Sequence, residues 1–422
     1  MAQSKLSALK VRSGLSVLIA GCTMQLFLGI LYVWSVFVTP VSEVFAWEIG
    51  SVKLTSSFML CFFVFGILAG GKLHLKIGCE KVVLIGGTLL AFGMLATAFL
   101  PHNFAWLMYI TYGVIGGFGV GSAYNAIICA AQKWYPQKRG FATGVVVCAF
   151  GLSTVVFAPL IKTLIGQFEL RNTFLLLSAA FFVVTMALFK FIRLPDESAS
   201  AASPANTTAS AATAANAANA AMTALLAKRQ YVITETIKTK EFYLIALSLA
   251  VATAPFFILN PSFITYANAR GVPEFGTIIV MMTGVANACG RLAIPLLSDK
   301  IGREKAAIAV VLFTSICAFV LCFAQGFLFI LIVLLTAFCF GGLPGLYSVL
   351  ASDYFGIKNA GANYGAIMMG FALSALTFPM FIGLINNDSI KFITLSIMAA
   401  AGVVLLFLLM VSKKKFEEKA HA

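Results

Sequence analysis

The chain has 422 residues, 61% of them hydrophobic and only 10% charged, with a mean hydropathy of +0.98. A soluble domain carries about 25% charged residues and just under half apolar ones, so composition excludes a soluble enzyme and indicates an all-α or β-barrel integral membrane protein. The net charge of +14 would suit a nucleic-acid binder, so where the charges sit decides its meaning.

A helix needs about 20 apolar residues to cross a bilayer. Runs of that kind fall at 14–38, 52–71, 82–100, 104–131, 140–165 and 172–194, then at 242–268, 275–297, 305–324, 326–351, 360–385 and 391–411. The segments of about ten alternating residues that mark a membrane barrel are absent. The expected architecture is an all-α membrane protein with twelve transmembrane helices in two six-helix bundles. The domains would be 1–194, a cytoplasmic linker at 195–241, a second bundle at 242–411 and a tail at 412–422.

With both termini inside, the cytoplasmic segments hold Lys5, Lys10, Arg12, Lys72, Lys76, Lys81, Lys133, Lys138, Arg139 and most of the remaining basic residues. The outer segments hold Lys53, Lys162, Arg171, Arg270 and Lys391. This is the positive-inside bias, and it accounts for the net charge with the lipid bilayer, not nucleic acid, as partner. The first apolar run is too long for a signal peptide and lacks a cleavage site, so it reads as a retained first helix. Eight of the nine cysteines fall within spans and Cys79 in a cytoplasmic turn; they show no CxxC pair or metal-ligand spacing, and read as small buried hydrophobes. Neither a metal nor a cofactor is expected. His74 and His102 read as turn residues and His421 as part of the tail.

Residues 198–224 are nearly pure Ala, Ser, Thr and Asn, a linker composition. Their sequon Asn206-Thr207-Thr208 carries no weight on the cytoplasmic side. Residues 225–241 regain charge and read as a short surface helix. On either side of this linker the halves echo one another. PLLSDKIGREK after span 8, with Asp299, Lys300, Gly302 and Arg303, matches GKLHLKIGCEK after span 2, with Lys76, Gly78 and Lys81. KWYPQKRGFATG after span 4, with Lys138 and Arg139, matches DYFGIKNAGANYG after span 10. Two six-helix repeats with substrate between them form a transporter plan.

One ionisable group lies deep in a span. Arg291 in span 8 is eight residues from Asp299, roughly 12 Å along a helix. An arginine at such depth costs at least ~2.5–3.5 kcal/mol on insertion scales, and no Asp or Glu lies in the central part of any span to offset it. Its planar fork accepts two carboxylate oxygens together, which makes it a site for an anion arriving from outside. The glycine-rich runs YGVIGGFGVGSAY and GILAGG sit inside spans and serve close helix packing.

The SDKIGR turn, in a chain of twelve spans with a long central loop, resembles the major facilitator superfamily signature G-x-L-a-D-R-x-G-R. The first half keeps Gly71, Leu73 and Gly78 but has Leu75 at the aspartate position. KWYPQKRGFATG, LYVWS near the end of span 1 and GRLAIPLLSDKIGR resemble the oxalate:formate antiporter family, related to the monocarboxylate transporters. The resemblance implies that Arg291 binds a substrate carboxylate, that Tyr32, Trp34 and Tyr124 line the cavity, and that Gln25 and Tyr347 have a weaker claim to it. The antiporter's lysine in span 11 has no counterpart here, and the aspartate one turn before the arginine in monocarboxylate transporters is replaced by Asn287. One cation without a neighbouring acid favours a monoanion, unless Lys162 reaches the cavity.

The expected function is a monomeric secondary active transporter of small organic anions in the bacterial inner membrane, not an enzyme. Monocarboxylates such as lactate, pyruvate or formate are the leading substrates, with oxalate/formate exchange also open. Without a carboxylate relay inside the spans, exchange or facilitated diffusion is expected ahead of proton symport. The alternative is a transporter-like sensor that binds a carboxylate without moving it.

Overall fold

The computed structural model describes residues 2–195, 229–260, 263–383, 385 and 387–421. The linker at 198–224 and its sequon lie outside them. The described residues form twelve long helices and no strand. α1 covers 2–45 as Ala2–Leu28, a 3-10 stretch Gly29–Val33 and Trp34–Phe45. α2 is Ile49–Ile77 and α3 is Cys79–Ala98. α4 covers 109–134, opening as a π-helix over Tyr109–Gly116 and continuing as Gly117–Trp134. Arg139–Leu188 is one helical run broken at Glu169, where φ is 64°; its parts are α5 (139–168) and α6 (170–188).

In the second half, α7 is Lys240–Leu259, α8 Gly276–Ile301, α9 Arg303–Val320, α10 Gly326–Phe355, α11 Ala360–Gly383 and α12 Asp388–His421. Eight stretches of the described residues are long and apolar enough to cross a membrane, and one of them, 139–191, holds both α5 and α6.

The structure redraws several expected boundaries. α2 continues through His74, which is buried in the helix and not in a turn; the sequence offers no Gly or Pro between Gly71 and Gly78. Cys79, expected in that turn, begins α3 and is buried. The seventh span is two helices, with a short Phe263–Ala269 after α7. The expected tail continues α12 to His421, since its Lys, Glu and Ala residues all favour helix. Of the nine cysteines, Cys289 is exposed and Cys22, Cys61 and Cys148 are half-buried, so the reading of all nine as buried is corrected for these four.

The internal repeat is visible in backbone geometry. Gly78 and Gly302 end α2 and α8 with φ of 89° and 93° and ψ of 157° and 149°, a conformation open only to glycine. α2 packs with α4, α3 with α4 and α6, and α1 with the α5–α6 run. In the second half α7 packs with α11 and α12, α8 with α10, and α9 with α12. The halves meet along α5 with α8 and along α2 with α11. Large apolar side chains such as Phe92, Val183, Phe323 and Ile397 stand exposed on the outside, the surface that lipid hydrocarbon covers. The end of the bundle with both termini and the turns at 78, 135–138, 302 and 356–359 is here called the basic end.

Of the 225–241 segment expected as a surface helix, 225–228 lie outside the described residues, and 229–239 are instead a strap on the α10–α11 turn in which only Ile233–Thr236 is helical. Tyr231 donates its N–H to Phe355 O at 3.0 Å, and its carbonyl accepts from Asn359 Nδ2 at 2.9 Å and Asn363 Nδ2 at 3.1 Å. Buried Thr236 donates to Asn363 Oδ1 at 2.9 Å. Lys358 N–H donates to Gln230 Oε1 at 2.9 Å. The Val232 N–H and the Arg229 guanidinium hold the Glu235 carboxyl below its usual range.

Candidate functional site

Arg291 projects from the middle of α8 and is 2% exposed. Its Nε donates to Asn287 Oδ1 one turn earlier at 2.6 Å, and its Nη2 donates to Tyr32 OH at 3.1 Å. The guanidinium carbon lies 5.4 Å from the ring centroids of both Tyr32 and Phe150. Tyr32 is on α1 and Phe150 on α5, so the charge sits on the boundary between the halves. Two local features put it there. Tyr32 lies in the 3-10 stretch of α1, and Gly151 leaves room for the arginine, since a Cβ there would fall 2.9 Å from Arg291 Cδ.

Hydrogen bonds to a charged group contribute about 1.5–3 kcal/mol each and cation–π contacts about 0.5–2 kcal/mol. Together these offset the insertion cost of the arginine, at least ~2.5–3.5 kcal/mol, in full. Yet every partner is neutral, and among the described residues no carboxylate forms an ion pair with Arg291. The site retains a whole unit of positive charge. Tyr124 extends its wall, with its ring 4.9 Å from Phe150 and 5.3 Å from Phe63.

The other expected residues are placed differently. Gln25 donates to the Tyr124 carbonyl at 3.3 Å, and its own Oε1 is buried without a partner among the described residues. Trp34 is not brought to Arg291: its indole donates to Val52 O at 3.0 Å and its ring packs on Tyr112 at 4.6 Å. Tyr347 bonds Ser248 Oγ at 2.9 Å inside the second half. Lys162 is exposed on α5.

At the basic end the gating turns separate into two seals. In the first, Asp299 accepts from Gly140 N at 3.1 Å and Phe141 N at 2.8 Å, capping α5, and pairs with Arg303. Arg303 also donates to Ser298 Oγ at 2.6 Å and lies 3.5 Å from Asp353. Arg139 crosses to Asp353 on α10. Lys138 and Lys300 are exposed. Gln132 ties Thr143 at 3.1 Å to Ser348 at 2.8 Å, and Ser352 donates to its Oε1 at 2.8 Å.

In the second seal, α2 meets α11 backbone to backbone, and a Cβ on Gly71 would overlap the Gly361 carbonyl. Asn125 donates to Gly361 O at 2.8 Å and to Ile67 O at 2.7 Å. Gln132 and Asp353 were missed as site residues. Asp353 lies within DYFGIKNAGANYG, whose match to the α4–α5 turn was the available signal.

The family model of the Major Facilitator Superfamily matches residues 15–379 and 246–421. The chain belongs to this superfamily. It is a membrane transporter by family, and its structural neighbours are transporters too. An uncharacterized transporter of the superfamily, YhjX of Escherichia coli, is 21% identical over 366 residues, covering 85% of each chain. The oxalate:formate antiporter of Oxalobacter formigenes is 22% identical over 365 residues, covering 83% of this chain and 79% of that protein. Monocarboxylate transporter 13 of Rattus norvegicus is 30% identical over 166 residues, 39% of this chain and 38% of that one. Among solved structures, the proton:xylose symporter XylE superposes with a TM-score of 0.70 at 15% identity, covering 94% of this chain and 96% of that one. The human organic anion transporter MFSD10 superposes at 0.63 and 15%, covering 94% and 99%. These superpositions establish the superfamily's two-bundle fold.

Proposed function

We propose that the protein is a secondary transporter of small organic monoanions, working by alternating access between its two bundles, with Arg291 holding the substrate carboxylate. The supporting observation is the arginine itself: buried, on the boundary between the halves, and bonded only to neutral groups. A carboxylate is the ligand that completes its fork. Asn287 and Tyr32 orient the guanidinium, and the aromatic wall of Tyr32, Phe150 and Tyr124 keeps water from competing. The names of the similar proteins, an oxalate:formate antiporter and a monocarboxylate transporter, point to the same ligand class. Lys162 adds no second cation beside Arg291, so a monoanion fits better than oxalate. In this reading the basic end is cytoplasmic, the membrane is the bacterial inner membrane and the protein acts as a monomer.

Uptake of labelled monocarboxylates into proteoliposomes tests it. Arg291→Ala is expected to lose at least 100-fold in uptake while still inserting, and Arg291→Lys, which keeps the charge without the fork, to retain a few per cent. Uptake by Arg291→Ala close to that of the unaltered protein overturns the assignment. Binding without any uptake by the unaltered protein would replace transport with sensing.

A further inference from the structure

His74 stands near the basic end of α2, is 2% exposed, and has no part in the anion chemistry at Arg291. Its Nδ1 lies 3.2 Å from the Gly70 carbonyl one turn earlier. A carbonyl only accepts, so in the neutral ring Nδ1 carries the proton and Nε2 presents a bare lone pair. That Nε2 is buried without a partner among the described residues. The ring carbon between the two nitrogens faces the other bundle. A Cβ on Gly361 of α11 would fall 2.8 Å from His74 Cε1, 2.7 Å from Cys129 Sγ and 3.0 Å from Gly71 Cα. A titratable ring is thus built into the second seal, against the backbone that must leave when that seal opens.

The closed seal has no place for a second proton on this ring. Protonation would turn Nε2 into a buried, charged donor without an acceptor, and both the charge and the unmade bond are costly. On α4, Cys129 gives its thiol hydrogen to Asn125 Oδ1 at 3.5 Å, and Asn125 Nδ2 is already bonded to Gly361 and Ile67. Lys133, half-buried one turn beyond Cys129, adds a like charge within reach. Cys79 and Glu80 open α3, with the Glu80 carboxyl close to Gly78. Lys72 and Lys76 on α2 itself and Lys358 ahead of α11 are exposed. α11 brings the buried Tyr364 but no charged residue.

When α11 draws away from α2, the covered edge of the ring meets water and the charged form is hydrated. We propose that His74 is a pH sensor for this seal: the neutral ring lets α2 and α11 close, and a proton on Nε2 drives them apart. The sealed form binds fewer protons than the open one, so acid favours the open form. Closure is at full strength above the range of an exposed imidazole, about 6.5, and is lost as pH falls through it. Going from about pH 7.5 to about pH 5.5 should raise the open population roughly tenfold. Closure is controlled in this way whichever solute is carried.

Hydrogen–deuterium exchange of the full chain in detergent, read at residues 360–362, tests it. Amides in the first turn of a helix have no intrahelical acceptor, and here the seal buries them. Rates at the two pH values are divided by those of an unstructured peptide of the same sequence, which removes the chemical effect of pH. After that correction the unaltered protein should exchange about tenfold faster at the lower pH. His74→Gln keeps a polar side chain and His74→Phe keeps a ring, and neither can gain a charge. Both should match the unaltered protein at the higher pH and change less than about twofold on acidification. The same acid response in both variants would assign it to other groups, such as the carboxylates of the ionic seal, and overturn the proposal. An unaltered protein indifferent to pH also overturns it. Variants already open at the higher pH would show that the ring acts by shape and not by charge, which overturns it too. Anion uptake plays no part in these measurements, so the assignment of Arg291 stands or falls separately.

Discussion

The two seals at the basic end solve one problem with different chemistry. In each, the first turn of a helix from one bundle lies against a helix of the other: α5 on α8, and α11 on α2. Gly140 sits against the Pro295 carbonyl much as Gly361 sits against Gly71. Beyond that shared approach the repeats differ. Around α5 the seal is ionic, with Asp299 capping backbone N–H groups and Arg139, Arg303 and Asp353 completing the cluster. Around α11 the position equivalent to Asp299 is Leu75, which is 42% exposed and contributes no polar group to the seal. Asn125 supplies a neutral bond to Gly361 instead. Backbone proximity is therefore the common requirement, and charge is an addition that one repeat has and the other lacks.

The sharpest way to break the comparison is steric. Gly71→Ala drives a methyl group into backbone that cannot turn aside. Overpacking costs about 1–3 kcal/mol, so the population sealed at the basic end should fall by about 5- to 150-fold. Cys129, buried beside Gly361, is a natural reporter. Its labelling by a membrane-impermeant thiol reagent applied to the basic end should accelerate correspondingly, and an unchanged rate would mean that α2 and α11 do not form a seal.

A smaller effect is expected from the ionic side. Asp299→Asn keeps an oxygen for capping but loses the charge facing Arg303. Loss of a cap is worth about 0.5–2 kcal/mol, and part of it survives in Asn, so roughly a threefold to tenfold loss of the sealed population should follow. The diagnostic is salt. Raising ionic strength screens partly exposed charges, so Cys129 labelling in the unaltered protein should rise modestly with salt, and in Asp299→Asn it should rise less. Equal salt sensitivity in the two would show that the charges at 299 and 303 take no part in closure.

The smallest effect tests whether the chemistries are interchangeable. Leu75→Asp restores the acid that the repeat implies. On an exposed position the gain should stay below about 1 kcal/mol, visible as slightly slower Cys129 labelling at low salt that disappears at high salt. Slower labelling that persists at high salt would mean that the new side chain acts by packing, not by charge.

How far the sequence revealed this molecule depends on the kind of signal. The twelve helices were legible because apolar length is a strong constraint in a bilayer, and Arg291 because a charge inside an apolar run is costly and rare. Asn287 came from the resemblance, as the residue at the position of the monocarboxylate transporters' aspartate. Helix ends were less legible: His74 and Cys79 were placed in a turn that begins only at Gly78. Facing was harder still. Tyr32 and Trp34 were taken together, yet residues two apart on a helix point to different sides, and the structure turns one to Arg291 and the other to Val52. Asn125 and Gln132 are neutral polar residues in an apolar helix, with nothing in composition to show that they cross between bundles. Only the fold brings their partners to them.

The strap over 229–239 gives the connection between the bundles a particular point of attachment. Any displacement carried along the chain from the first bundle reaches Tyr231 before it reaches α7, and Tyr231 is fastened to Phe355, Asn359 and Asn363. Asp353 lies just ahead of that turn and Gly361 just after it, one belonging to the ionic seal and the other to the neutral one. The strap thereby fastens the start of the second bundle to the one stretch of chain that carries residues of both closures.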